Sequence, residues 1–591
     1  MKKRVIASLL CMAMGLSLVA CGGNDAATET PDTESTATEE AAEEETPADD
    51  TAEAPAEDDG EGFHLNVAIS QGNPAYFDGV MMGGTPDYFN MIHMNEGLMK
   101  YGKGGDTQAG TNPNATVAVL QCGQAESYEY DEENHIYTFH LRDDIFWSDG
   151  EPVEAEDFLF ALHRLVNPET ASSSAPLFNN IIKNWTEAYN GEVAPEEIGV
   201  TCPDSKTIVF ELVGEVPYFL SQLADMSTYP QRQEIVEADP EGWGKNVETV
   251  VTNGAYKLVE WNPDVSFKTV KNELYYDYEN LGPDSITWHL TTNETTLLAS
   301  FQSGDWDYVS GTPAASRQEL ETAGSLFTAP YLGFTICYMN VEDTPDWRVR
   351  AAYMLAIDRE NLVDNVAKNG ATPADGMVPY GLTAGDGVTE WREYAGETMY
   401  YWLQEQYPDY DLSDYIGRCE LAQALYAEAV ADGFDTSVSP TIIFGNNELN
   451  KLLAEAIQTD LLNVLGANLV IQGSDSVDWE KPYTLGRLGF SADYADQTTF
   501  FNNFGTNGMF ELAHYSNAQY DELVAKCMNM PNGDERDEVM RDVERTMFSD
   551  QGFSICPLYY SVYTYCIREG IINLMYQPVC GLVNFTYATQ E

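Results

Sequence analysis

One short segment restricts the fold class more than any other part of the sequence. A helical pattern runs from Glu448 to Leu465, Gly466 follows it directly, and an apolar strand is predicted over Asn468 to Ile471. Glycine at a helix end accommodates the left-handed backbone that stops the helix. A helix, a glycine and a strand in immediate succession are typical of layered α/β proteins. We therefore expect an α/β fold.

Further segments continue this mixture of strands and helices. A chain of 591 residues is too long for one hydrophobic core, so we expect two to four domains. The predicted elements are a strand with Leu65, Val67 and Ile69 inward, a helix from Asp87 to Met99, a hairpin from Glu126 to Arg142, a turn at Ser148 to Gly150 followed by a helix that Asn167-Pro168 ends, strands at Thr207 to Leu212, Ala255 to Glu260 and Val265 to Val270, and a helix from Trp347 to about Val366.

The first sixty residues differ sharply from the rest. Three basic residues precede an uncharged apolar run from Val5 to Ala20, as in a secretory signal, and the run is short for a membrane span. Leu18-Val19-Ala20-Cys21 resembles the lipobox of bacterial lipoproteins, in which Cys21 would carry the lipid. The alternative is a plain signal with a chance cysteine. Residues 21–62 hold sixteen Asp or Glu and no Lys or Arg, which predicts a disordered tether spanning roughly 35 Å.

The charge and the remaining cysteines exclude several classes of protein. A formal charge of −67 repels nucleic acids and anionic lipid headgroups, so we expect contact with a membrane only through Cys21. Eight cysteines beyond the signal show no CxxC and no metal-ligand spacing, and their pairing cannot be inferred from the sequence. Nucleotide-loop, serine-hydrolase and zinc-protease motifs are absent, so the sequence predicts no cofactor, no metal site and no catalytic residues. A hydrolase without a motif stays a distant alternative.

The stretch from Arg487 to Asn503 is the main candidate for a binding site. An apolar strand ends at Ser491, and Asp493 and Asp496 follow where a helix should begin. Carboxylates at a strand end, flanked by aromatic residues, are well placed to meet a cation in a partly dry site. The alternative is that one of them only caps the helix. The residues alone do not decide between the two.

Five segments together resemble the oligopeptide- and dipeptide-binding lipoproteins of ABC importers. They occur in the order and spacing of that family, from about His64 to the C-terminus. The segments are YTFHLRDDIFWSDGEPVEAEDFLFALHRLVNPETAS (Tyr137 to Ser172), VTNGAYKLVEW (Val251 to Trp261), FQSGDWDYV (Phe301 to Val309), WRVRAAYMLAIDRENLVDNV (Trp347 to Val366), and the Arg487 stretch with AHYSNAQYDEL (Ala513 to Leu523).

The resemblance implies an α/β, two-lobed, periplasmic-binding-protein-like fold of class II, with an extra α/β domain inserted in a discontinuous first lobe. The implied divisions are a signal peptide at 1–20, a tether at 21–62, lobe I at 64–103, 251–335 and 566–591, the inserted domain at 104–250, and lobe II at 336–565.

The resemblance also implies site residues. In the family, an aspartate in a tryptophan-cysteine-alanine-aspartate-tyrosine stretch binds the α-ammonium of a peptide. The residues from Phe490 to Tyr494 match that stretch, and Asp493 keeps the aspartate. Arg487 matches an arginine that meets the carboxylate of short peptides, with an ordinary salt bridge as the alternative. Trp479 matches an aromatic of the side-chain pockets, with core packing as the alternative.

Two departures from the family pattern concern a disulfide. Phe490 and Ser491 stand where the family has tryptophan and cysteine, and the partner position near Leu332-Gly333-Phe334 also lacks a cysteine. The apolar wall is kept, but the disulfide of the enteric members is in doubt.

The expected function is that of a non-enzymatic, lipid-anchored protein that captures peptides between two closing lobes for an ABC importer. The expected partners are a peptide and the permease subunits, with the protein a monomer on the extracytoplasmic face of the cell membrane. Asp493 favours ligands with a free amine. Sugars, metal chelates, opines and signalling peptides, which the same scaffold carries elsewhere, are the alternative ligands.

Overall fold

The computed structural model describes residues 62–82, 85–474, 477, 481–506, 508 and 511–591. The signal peptide, Cys21 and the acidic tether up to residue 61 lie outside these residues, as does Trp479. Within the described ranges, no helix is both long enough and apolar enough to cross a membrane.

Strands occur along the whole described chain. They are β1 His64–Ser70, β2 Met99–Gly102, β3 Ala115–Val117, β4 Val119–Cys122, β5 Ala125–Asp131, β6 Ile136–Leu141, β7 Val200–Asp204, β8 Thr207–Glu211, β9 Tyr256–Asn262, β10 Ser266–Lys271, β11 Ser285–Thr291, β12 Tyr308–Ser310, β13 Leu326–Met339, β14 Thr372–Pro373, β15 Thr441–Gly445, β16 Val470–Ser474, β17 Leu485–Ser491, β18 Ile555–Ile567, β19 Ile571–Ile572, β20 Leu574–Gln577, β21 Leu582–Asn584 and β22 Thr589–Gln590.

Helices alternate with these strands. They are α1 Thr85–Met94, α2 Ala155–Val166, α3 Trp185–Tyr189, α4 Phe219–Gln222, α5 Gln233–Ala238, α6 Glu294–Ser303, α7 Arg317–Thr322, α8 Trp347–Ala356, α9 Arg359–Asn361, α10 Trp391–Ala395, α11 Tyr401–Gln406, α12 Tyr415–Ala431, α13 Glu448–Leu465, α14 Thr499–Asn502, α15 Ala518–Met528 and α16 Asp534–Met547.

One long sheet joins the two halves of the molecule. Its strand order is β16-β15-β17-β13-β18-β12-β1-β11-β10-β9, and β14 pairs with β18 beside this path. The strands β13 and β18 are 14 and 13 residues long and lie at the centre of the sheet. They belong to both halves, since β13 pairs with β17 on one side while β18 pairs with β12 on the other.

The pairing of β13 with β18 is interrupted where the halves meet. Pro330 pairs with Val562, and the next pair is Phe334 with Tyr560. On one side of this interruption the buried side chains belong to a core that also contains β1 and β11. On the other side they belong to a separate core with α8, α12 and α13. The two central strands therefore connect two separately packed lobes.

A third unit lies on the first half. The antiparallel sheet β5-β6-β8-β7 packs against α2 and α3 around a core of its own. Trp147, Phe158 and Trp185 are fully buried in that core. The exact domain boundaries stay predictions.

Local signals predicted several elements correctly and missed two helix ends. The helix α13 and its glycine end are confirmed, with Gly466 at φ 69°, although β16 begins at Val470. The predicted helix from Asp87 ends at Met94, because Met99 already pairs in β2 with Cys122.

The predicted helix from Trp347 to Val366 is interrupted. Ile357 has an extended backbone, and the Asp358 carboxylate accepts a hydrogen bond from the Asn361 N–H at 2.9 Å. Asp358 thus starts a new helix, because its carboxylate satisfies a backbone donor that would otherwise lack a partner.

Candidate ligand-binding site

The site begins where β17 ends beside the interruption in β13. Ser491, the last residue of β17, pairs with Gly333, and the Ala492 N–H donates to the Leu332 carbonyl at 2.7 Å. Asp493 therefore leaves the sheet at the place where the two halves meet.

The Asp493 carboxylate has only weak polar contacts. Its Oδ2 accepts from Thr499 Oγ1 at 3.4 Å and from Asn503 Nδ2 at 3.3 Å. Among the described residues, no lysine or arginine nitrogen lies within 4 Å of it. Burial raises the pKa of Asp493 to about 7, and the negative charge of Asp225 also raises it, while the two side-chain hydrogen bonds act in the opposite direction. This carboxylate is thus short of a positive partner.

Asp496 has a different environment. Its two oxygens accept from Arg536 at 2.8 and 2.9 Å, and both side chains are buried. It also accepts from the Thr498 N–H at 3.0 Å, next to α14. Of the two aspartates, Asp496 therefore has the structural role, as a turn-stabilising group and as the partner of a buried arginine.

Tyr494 and Ala495 contact the third unit. The Tyr494 ring stacks on Tyr218, with the ring centroids 4.5 Å apart, and the Tyr494 side chain is buried in the core of that unit. The Ala495 N–H donates to Ser221 Oγ at 2.9 Å. The segment around Asp493 is thereby held against the segment from Tyr218 to Asp225.

Phe490 forms part of an aromatic cluster beneath the site. Its ring meets those of Phe334, Phe500 and Phe504 edge-on, with centroid distances of 6.1, 5.6 and 5.7 Å. The ring is almost wholly buried, so it supports the strand from below.

Arg487 lies on β17 opposite Cys337 and is partly buried. Its Nε is buried without a hydrogen-bond partner. No carboxylate of the described residues pairs with its guanidinium. At the usual rise of a strand, its Cα lies about 13 Å from that of Ser491. Arg487 and Asp493 thus lie on one segment, and neither has an ion-pair partner among the described residues.

The sequence reasoning missed Asp225 and Cys580. Asp225 follows α4, and its Oδ1 accepts from the N–H and the hydroxyl of Ser227 at 2.9 and 2.5 Å. Burial raises the pKa of the Cys580 thiol, and the charges of Asp225 and Asp493 raise it further. Asp225 could be recognised in the sequence only as a turn residue, because its approach to Asp493 depends on the tertiary fold.

A small polar pocket in the first half borders the segment that carries Asp225. Its walls include Tyr101, Ala224, Tyr229 and Gln577. The Tyr101 and Ser221 hydroxyls lie 2.9 Å apart, and Ser221 also accepts from the Ala495 N–H, so Ser221 connects the pocket wall to the segment that carries Asp493.

Comparisons with known proteins agree with this architecture. Residues 120–510 match the family described as bacterial extracellular solute-binding proteins, family 5. The dipeptide-binding protein DppE of Bacillus subtilis is 25% identical over 535 residues, which cover 88% of this chain and 91% of DppE. The periplasmic oligopeptide-binding protein OppA of Salmonella typhimurium is 28% identical over 463 residues, which cover 76% of this chain and 80% of that protein.

A solved structure shows the same fold. The crystal structure of Haemophilus influenzae OppA in complex with RPPGFSPFR has a TM-score of 0.72 and 26% sequence identity, and the match covers 90% of this chain and 99% of that one. The expected two-lobed α/β fold is confirmed, as is the resemblance found in the sequence. The chain belongs to the bacterial extracellular solute-binding proteins of family 5.

Proposed function

We propose that this protein is the peptide-binding component of an ABC importer, and that Asp493 binds the α-ammonium of the captured peptide. The observation that carries the proposal is a carboxylate at the junction of the two halves that no described lysine or arginine pairs. The names of DppE and OppA support a peptide as the ligand. Burying an ammonium group is favourable only against a counter-charge with further hydrogen bonds, and Asp493 offers both.

Arg487 is the proposed partner of the peptide carboxylate. A cation on the strand that leads to Asp493 matches the opposite charges at the two ends of a peptide. Its position, about 13 Å from Ser491 along β17, suits peptides of a few residues. The peptide main chain would pair with the lobes as an added strand, which leaves the side chains in roomy, hydrated pockets.

Phe490, Tyr494 and Trp479 complete the proposed site. Phe490 and Tyr494 position Asp493, because one packs under the strand and the other fixes the segment against Tyr218. Trp479, proposed as an aromatic wall for ligand side chains, lies outside the described residues.

The proposal includes closure of the lobes and attachment to a membrane. The interruption between Pro330 and Phe334 is the proposed hinge, because backbone outside a regular ladder changes its dihedral angles most easily. A lipid on Cys21 would hold the protein, as a monomer, to the extracytoplasmic face of the membrane, and residues 21–62 would let it reach the permease.

Calorimetric titration of the purified mature protein tests the assignment of Asp493. Native protein should bind tri-alanine with a free amino terminus at least about a hundredfold more tightly than N-acetyl tri-alanine, because acetylation removes the positive charge. Asp493→Asn should weaken binding of the free peptide by a similar factor and affect the acetylated peptide less.

Asp144→Asn is the matched control, since it removes the same charge from an exposed position on the third unit. Equal affinity of the native protein for both peptides would show that Asp493 does not bind the amino terminus.

A further inference from the structure

Asp225 lies on the segment that faces Asp493. This segment contacts the Asp493 segment through the Tyr218–Tyr494 ring stack and the hydrogen bond from the Ala495 N–H to Ser221. Asp225 follows Ser221 by four residues and caps the short turn Met226–Thr228. The negative charge of Asp225 acts on Asp493, and the charges of both aspartates act on the thiol of Cys580. Both carboxylates therefore lie close enough to Cys580 for their charges to act on its thiol, on two segments that contact each other.

Neither carboxylate is paired with a cation of the described chain. Asp225 accepts only from Ser227, and Asp493 accepts only from two neutral side chains. The basic side chains nearby are engaged elsewhere. Arg536 is paired with Asp496, and the Lys100 ammonium is held by Glu96 at 2.8 Å and by two tyrosine hydroxyls.

The tyrosines and the cysteine around Asp225 are neutral, and the nearby charge of Glu96 is paired with Lys100. Burial raises the pKa of Tyr88, Tyr229 and Cys580, so none of them is charged near neutral pH, and none can supply a positive charge. The site therefore offers two carboxyl groups, whereas the amino terminus of a peptide brings one positive charge. The second carboxylate must then bind a proton or meet a second cation.

We propose that Asp225 is a specificity-determining residue that selects peptides whose first residue is lysine or arginine. The α-ammonium would meet Asp493, and the basic side chain of the same residue would meet Asp225. This inference rests on the proposed function, because it takes Asp493 as the group that binds the amino terminus.

The substitution Asp225→Asn suits a test because it keeps the local structure. Asparagine accepts the hydrogen bond of a turn or helix start about as well as aspartate does, so the contacts with Ser227 are retained and only the charge is lost. Asp144→Asn again serves as the charge-matched control on the exposed surface.

The experiment compares lysyl-alanyl-alanine with norleucyl-alanyl-alanine, which has a free amino terminus and a side chain without the second charge. Native protein should bind the lysyl peptide roughly ten- to a hundredfold more tightly, the usual effect of a hydrogen bond between charged groups. Asp225→Asn should abolish this preference by weakening the lysyl peptide alone. Asp493→Asn should weaken both peptides.

A second measurement requires no variant. Titrations near pH 7 in buffers of different ionisation enthalpy should show proton release when the native protein binds the norleucyl peptide, because the ammonium lowers the raised pKa of Asp493, and greater release with the lysyl peptide, whose second cation acts on Asp225. Equal affinities, equal proton release, or equal weakening of both peptides by Asp225→Asn would overturn the role of Asp225 and leave the proposed function intact. If Asp493→Asn weakened neither peptide, the proposed amino-terminal site itself would be wrong.

Discussion

Asp493 and Asp496 are three residues apart and have opposite environments. Asp496 is bound by both terminal nitrogens of the buried Arg536 guanidinium, so its charge is compensated. Asp493 lies beside another carboxylate and has only two long hydrogen bonds. A buried ion pair such as Asp496–Arg536 is costly to break, by about 3–5 kcal/mol when one partner is removed. A carboxylate without a partner destabilises the ligand-free protein, and this is the expected cost of keeping a site ready for a cation.

The pH dependence of stability should reveal this cost at Asp493. Its pKa of about 7 in the folded protein exceeds the usual value of 3.8, so between these values the folded state binds more protons than the unfolded chain. The contribution of this group to stability is therefore greatest at low pH and is lost as the pH rises through about 7. As the pH rises from 4 to 8, the free energy of unfolding of Asp493→Asn should increase relative to that of native protein by on the order of 1–3 kcal/mol. Urea unfolding at each pH measures this difference.

Asp496→Asn is the contrasting variant for this measurement. It leaves the buried Arg536 guanidinium without its counter-charge, so it should lower the free energy of unfolding near neutral pH. Parallel pH profiles for native protein and Asp493→Asn would contradict the assigned environment of Asp493.

At the scale of single elements, the sequence predicts correctly those helix ends that depend on one residue and its immediate neighbours. Gly466 ends α13 because its left-handed backbone is a property of one residue, and the sequence shows it directly. The end of α8 was missed because the apolar spacing continues through Ile357, while the new start depends on the Asp358 side chain. Asp225 was missed because its partner lies more than 250 positions away in the sequence, beyond the reach of any local pattern.

Gly466→Ala should destabilise the protein by about 1 kcal/mol. The glycine has φ 69°, and an added Cβ would meet no atom within 4 Å, so the expected cost is backbone strain alone. Gly489→Ala is the matched control, since its Cβ would also meet open space but its φ lies outside the left-handed region. The control should stay within about 0.5 kcal/mol of native protein in urea unfolding. Equal losses for both variants would show that the φ of Gly466 is not responsible.

At the scale of the whole molecule, the sequence alone did not predict how distant segments assemble. The first core combines β1, β11 and β21, which lie far apart in the sequence. Hydrophobic periodicity predicts that such strands exist but not which strands become neighbours. The resemblance of five segments to one family provided the two-lobed architecture, and the comparison of folds confirms it.

The interruption in β13 and β18 leads to a prediction about shape. If the lobes rotate there, adding a peptide that binds should reduce the radius of gyration measured by small-angle X-ray scattering. N-acetylated peptide at the same concentration should have a smaller effect, because it binds more weakly and occupies a smaller fraction of the protein molecules. An unchanged radius of gyration under saturating peptide would contradict rotation at this position.

The burial of Tyr494 has a consequence for release of the ligand. This ring comes from the second half of the molecule but lies in the core of the third unit, against Tyr218. Any movement that parts the two segments must draw the ring out into water and break the contact between Ala495 and Ser221. We therefore expect the dissociation rate of a bound peptide to depend on how readily the Tyr494 side chain leaves this core, as well as on the charges that bind the peptide.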